Sequence, residues 1–364
     1  MAMRPSFMVV AVAVGLCTST ISMARAACTI DEGTNGPQAP FKRHVGPGCT
    51  EEQRLAKAVT ADELLAAMEH GREIDLLGVI VIGDLTMDRL PRAPAGSLDT
   101  LPSAMRQALA AEDAQALRVV AAPISLRDSV VRGIVGTRIK QGAVIFLHAV
   151  TMTGTTFERM LDLSRSAFVS GVDCSDAVFL REAFFIQSLS LGPVRFERTT
   201  FGNHSRFHRA RFVEGVTFLR SGFNGLAEFL EVTFEREATF ARTDFKMGTG
   251  FSGTRFGGRV DFSEAVFERE IYFLFSVFEA DASFRRTAFR GPTDFSDAEF
   301  HGAHDFLNAE FGREPQFQRT KAKGPLPSKR GVLFPSPYWY ATAATLLILA
   351  LAVRVMRRRS PPAS

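Results

Sequence analysis

Phenylalanine recurs in this chain at a fixed interval, and that interval narrows what the chain can fold into more than any other feature. Steps of eleven from Phe146 reach sixteen positions ending at Phe311, of which fifteen are Phe and one, Ser190, is not. A second series of sixteen, starting six residues later at Met152 and ending at Phe317, holds thirteen Phe; its exceptions are Met152, Leu163 and Cys174. Together the series contain 28 of the 33 Phe, in a chain with 3 Tyr and 1 Trp. A globular core mixes its large apolar residues. A core that reuses one shape at one spacing is filling the same hole in successive repeats.

A second column carries the same period. Two residues before the first series stand Thr199, Ala210, Ser221, Val232, Thr243, Thr254, Ala265 and Ser276, all small or β-branched, and before the second stand Val194, Val216, Ala238 and Val260. Residues i−2 and i therefore both point inward, the period-two alternation of a short strand. The residue between them is often charged or polar, as at Asp244, Arg255, Asp261 and Asp294. Glycine is frequent in the gaps, which suits corners. The gaps alternate between five and six residues. Two sides cannot enclose a core and three would break the alternation, so four sides, with 22 residues per coil, are required. This gives about eight coils over residues 146–317 and a rod about 38 Å long at strand spacing. Phe201, Phe212, Phe223, Phe234, Phe240, Phe245, Phe251, Phe256 and Phe262 form the heart of the predicted core.

The small-x-Phe pattern, as in Ala210-Arg211-Phe212 and Ala238-Thr239-Phe240, resembles the pentapeptide-repeat family, in the variant whose sides alternate between five and six residues. The resemblance covers about half the chain. It implies an all-β fold, a right-handed quadrilateral β-helix, the handedness coming from the family alone. Ser190, flanked by Leu189 and Leu191 and followed by Gly192-Pro193, predicts a bulge. Cys174 reads as a buried, inert thiol.

The ends read as targeting segments. Residues 1–26 have Arg4, an apolar run over 7–16 and Ala24-Arg25-Ala26, the pattern of a secretory signal peptide. Residues 334–355 are apolar up to Arg354, with Tyr338, Trp339 and Tyr340 at one end and Arg357, Arg358 and Arg359 at the other. This predicts a C-terminal transmembrane helix, and the arginine cluster places the tail, 356–364, in the cytoplasm. The localisation that follows is a single-pass protein of the cell's inner membrane with its N-terminal domain extracytoplasmic. In that oxidising compartment Cys28 and Cys49 are expected to pair. Between these ends, residues 27–72 read as an irregular leader and a helical cap, with Thr60 N-capping a helix over 61–70 that stops at Gly71. The apolar stretch 74–85 reads as part of that cap, feeding the first coil. Residues 73–145 read as irregular first coils interrupted by an inserted loop, 90–117, with a helix around 104–116. Residues 318–333 read as a linker.

The chemistry-bearing residues are sparse. His204 and His208 have the i, i+4 spacing that gathers metal ligands on a helix, but they fall on a corner and a strand here. His301 and His304 fare no better, and no phosphate-binding glycine loop follows a strand. We therefore expect no catalytic residues, no metal and no cofactor, and hence no enzyme. At 22 residues per coil, Arg198, Arg220, Arg242, Glu264 and Arg286 stack in one column; this reads either as a solvated charged edge or as a partner-binding stripe. The formal net charge is +4, too small an excess to argue for nucleic acid. Family members that mimic DNA and protect topoisomerases are strongly acidic and cytoplasmic; residues 141–317 carry 19 Lys and Arg against 24 Asp and Glu, a mild imbalance. The expectation is a non-enzymatic, membrane-anchored scaffold for an envelope or membrane protein, with a regulatory ectodomain for a partner such as a channel as the alternative.

Overall fold

The structure is a computed structural model that describes residues 27–33, 36, 39–93, 97–111, 117–137 and 142–328. The predicted signal peptide, transmembrane helix and tail lie outside the described residues. Among the described residues no helix is long and apolar enough to cross a membrane.

Four parallel sheets wrap one apolar interior. One coil shows how. Val194–Arg195 lies on the first face, Thr200–Phe201 on the second, Ser205–Arg206 on the third and Arg211–Phe212 on the fourth; Val216–Thr217 then returns to the first. Each strand pairs in parallel with the strand 22 residues on, as in Val194↔Val216 and Phe201↔Phe223. Ten closed coils follow one another from Ile74–Leu77 to Lys321–Ala322, with a partial coil before them. At strand spacing the rod is about 48 Å long. The nine Phe named above are all buried.

The rings stack from coil to coil: Phe218, Phe240 and Phe262 lie 4.8 and 4.9 Å apart at interplanar angles of 6° and 7°. Neighbouring columns meet edge to face, Phe240 standing 5.3 Å from Phe251 at 86°. Both geometries suit the ring quadrupole.

The corners are of two kinds. After the first and third faces the chain turns through a four-residue bend in which the third residue has positive φ, as in Phe196-Glu197-Arg198-Thr199, closed by Thr199 N–H donating to Phe196 O at 3.3 Å. Arg165, Asp176, Gln187, Arg198, Arg209, Arg220, Glu231 and Arg242 all occupy this left-handed site. Glycine is its usual tenant, yet only Gly154 and Gly253 take it between residues 154 and 319. A buried hydroxyl stitches each such bend to the next coil. Thr199, Thr243 and Thr287 donate from Oγ1 to the carbonyls of Cys174, Phe218 and Phe262 at 2.7, 2.7 and 2.8 Å. The inward column of small residues is thus also a column of donors for carbonyls that the bend leaves half satisfied.

Several expectations change. Ser190 makes no bulge: it pairs with both Phe168 and Phe212 in the common register. Leu189 points outward and is buried all the same, because helix α3 (Ser103–Ala111), inside the inserted loop, lies across the fourth face and covers Ile145, Ala167 and Leu189 with Leu101, Met105 and Leu109. The apolar stretch 74–85 is not a cap but the first coil, its corners turned by Gly78 and Gly83 at φ +65° and +85°. The stretch read as an irregular leader contains two strands and a helix. Strand β1 (Ile30–Glu32) pairs antiparallel with β2 (Phe41–Val45), which pairs in parallel with Ile74–Leu77, so the first sheet ends on a reversed strand. Helix α1 (Glu51–Ala56) and helix α2 (Ala61–Glu69) follow, each with a Thr capping box, at Thr50 and Thr60. Leu64, Leu65 and Met68 of α2 lie over the open end of the core, the covering a solenoid end needs. Cys28 and Cys49 form a disulfide, S–S 2.01 Å, that ties the start of β1 to the segment after β2. At the other end the coil continues past Phe317 into Lys321–Ala322, which pairs with Glu299–Phe300.

Candidate interaction surface

The arginine column runs along the corner between the first and second faces, and the chain itself neutralises most of it. Arg198 makes a two-pronged pair with Asp176, both contacts 2.7 Å. Glu264 takes Arg242 at 2.9 Å and Arg286 at 3.2 Å. Those hydrogen bonds, from Arg242 first, hold the Glu264 carboxyl below the usual carboxylate range. Arg220 is exposed and has no side-chain partner among the described residues. Each pair links residues 22 apart. The same spacing recurs in Arg209–Glu231, Arg290–Glu268 and Lys321–Glu299, so exposed charge is organised as rungs between coils. Each exposed pair is worth about 0–1 kcal/mol; their effect is to leave few cations free.

The histidines meet charges that their sequence neighbours do not reveal. His204 and His208 both approach Glu228 Oε2, at 2.6 and 3.3 Å, and Arg206 Nε donates to the same oxygen at 2.9 Å. Partial burial opposes ionisation of Glu228, but the hydrogen bonds from His204 and Arg206 outweigh it and hold the carboxyl low. Glu228 sits one coil beyond Arg206, so a 22-residue step, not helical spacing, was the signal to read. Among the described residues no group of three or more His, Cys, Asp or Glu is arranged to hold a metal ion. His301 lies between Glu279 (2.7 Å) and Glu299 (3.1 Å), and His304 stacks against Phe300. Cys174 fills a Phe slot in the interior, where burial pushes its thiol well up.

Beside the arginine corner the first face is shallow and polar. Arg195, Thr217, Thr239 and Asp261 follow one another outward along it, and with Pro193, Gly215, Glu237 and Arg259 they line a shallow depression of about 400 Å³.

Fold and surface together define a closed four-sided parallel β-solenoid whose interior is solid with side chains and whose outside is a set of flat strips. The pentapeptide-repeat model (nine copies) matches residues 220–266, and with that match on a four-sided parallel solenoid the chain is a pentapeptide-repeat protein. No curated protein and no solved structure matches it.

Proposed function

We propose that this protein is a non-enzymatic scaffold, held at the membrane by its C-terminal segment with the solenoid outside the cytoplasm, and that an envelope or membrane protein docks on the first face beside Arg220. The observation that carries the reading is Arg220 itself. Three of the four arginines of the column are paired by carboxylates of the chain, while the fourth stands exposed at the middle of the column and beside a flat strip of Thr217, Thr239 and Asp261. A single uncompensated cation among compensated ones is a contact point for a carboxylate of a partner. The family resemblance adds that such solenoids work as interaction surfaces.

Two measurements test this. Protease treatment of spheroplasts carrying a C-terminally tagged chain is expected to digest the solenoid and spare the tag; a protected solenoid refutes the topology. Placing a photo-crosslinking residue at position 220 or 239 is expected to capture one envelope protein, with capture lost on Arg220→Glu when the probe is at 239. Capture that is indifferent to Arg220→Glu refutes the docking site.

A further inference from the structure

The third face carries a pattern that none of the others has. Read down its outward column, one residue per coil, it runs Arg206, Glu228, Gly250, Tyr272, Asp294, each pair in register. Around Gly250 the surface becomes apolar. Leu226, Met247, Tyr272 and Phe275, exposed by 43%, 44%, 40% and 63%, lie within three consecutive coils. The central coil contributes Gly248, Gly250 and Gly253 and so raises no wall of its own; Leu226 and Leu230 lean over it, their Cδ2 atoms 3.4 and 3.1 Å from where a Cβ on Gly248 and on Gly250 would stand. An apolar patch on a flat floor, bordered by charge, is the anatomy of an interface core with a polar rim.

The border identifies what covers it. Gly250 is the centre of a sequence that complements itself on reversal. Two coils before it stands Arg206 and two coils after it Asp294; one coil before stands Glu228 and one after Tyr272. We propose that a second copy of this chain packs on the third face, antiparallel, with the two-fold axis along the strand direction through Gly250. Arg206 then meets Asp294 of the second copy, Glu228 meets the Tyr272 hydroxyl, and Leu230 meets Leu274. Met247 meets its own counterpart, and the glycine coils face each other so that the two sheets approach closely. A parallel pairing sets Arg206 against Arg206 and Glu228 against Glu228, which costs affinity. Each contact in the antiparallel arrangement occurs twice, as a two-fold interface requires. With both C-terminal segments in one bilayer, such a pair lies flat along it.

The test uses the full chain in detergent and in its native membranes. Light scattering is expected to give a dimer mass. Arg206→Asp and Asp294→Arg are each expected to weaken association about tenfold or more by placing like charges together, and the double variant to restore it. Melting curves of the variants check that each is folded. Met247→Cys is expected to form an intermolecular disulfide on mild oxidation, whereas Leu180→Cys, equally exposed at 49% on the corner beyond the second face, is not. A monomer at tens of micromolar, a dimer indifferent to the charge reversals, or a Met247→Cys crosslink to a different protein each overturns the proposal. None of these outcomes bears on the first-face docking site, which is read separately at position 220.

Discussion

Phe240→Ala removes the most completely enclosed ring of the ladder, and its cost follows from the geometry. Phe240 is 0% exposed, stacks on Phe218 and Phe262 at 4.8 and 4.9 Å, and meets Phe229, Phe234 and Phe251 edge to face at 5.3–5.9 Å. Loss of burial costs about 2–3 kcal/mol, and each lost ring pair about 0.5–1.5 kcal/mol more. The coil cannot collapse into the space, because each strand is held by backbone hydrogen bonds to the coils before and after it. The expected total is about 3–5 kcal/mol, the usual range for a Phe lost from a rigid core. Phe311→Ala, in the final coil, stacks on one ring only, Phe289 at 4.8 Å, and should cost clearly less. Urea unfolding followed by far-ultraviolet circular dichroism compares the two. Equal midpoints for Phe240→Ala, Phe311→Ala and the parent chain refute the ladder as a source of stability. A Phe311→Ala cost matching that of Phe240→Ala refutes the nearest-neighbour additivity expected of a solenoid.

Three further outcomes are expected. Thr243→Val keeps the shape but removes the 2.7 Å donor to the Phe218 carbonyl; it should cost about 1–3 kcal/mol in thermal or urea melts, with Thr243→Ser costing less. Val131→Phe extends the second-face ladder, since Val131 pairs in register with Phe157, and grows into an enclosed apolar cavity of about 50 Å³ beneath α2; a gain of about 1 kcal/mol is expected, and a lowered midpoint shows the cavity to be closed to a ring. Hydrogen bonds from Glu279 and then Glu299 raise His301 above its usual 6.5, so its stabilising contribution is complete below the unfolded value and is lost as pH rises through the folded one. The stability difference between the chain and His301→Gln should therefore shrink from about pH 6 to about pH 8, and a difference that grows over that window reverses the assignment.

The period of eleven made the core legible because side-chain volume is set by what lies inside a coil, and the same volume recurs. The corners were not legible, because their left-handed residues are Arg, Glu, Asp and Gln, where local preference calls for Gly. The closed register of the coil overrides that preference, and no local signal betrays it. The pairing hydroxyls were hidden for a related reason: Thr243 and Phe218 are 25 residues apart and adjacent only once the coil is closed. Leu189 and Ser190 look like a break because an outward Leu beside an inward Ser inverts the pattern; the inversion makes sense only with α3 laid across the face. Strands β1 and β2 are short and mix charges with apolar residues, so they carried no period to read. In the candidate surface the alignment of Arg198, Arg220, Arg242, Glu264 and Arg286 was readable, but which cations were already claimed was not, because Asp176 lies outside the stretch that was read.

The spacing that repeats every 22 residues in the sheets repeats every eleven in the core, since both Phe series and the left-handed corners recur at half a coil. Opposite faces are therefore interchangeable as far as the interior is concerned. Losing or duplicating eleven residues leaves every downstream ring seated on a ring, yet swings all of the downstream surface half a revolution about the rod axis, to the far side. The chain thus behaves as a spindle with two stable settings per coil. Short duplications in its gene are a means of re-aiming a binding strip without disturbing the interior that supports it.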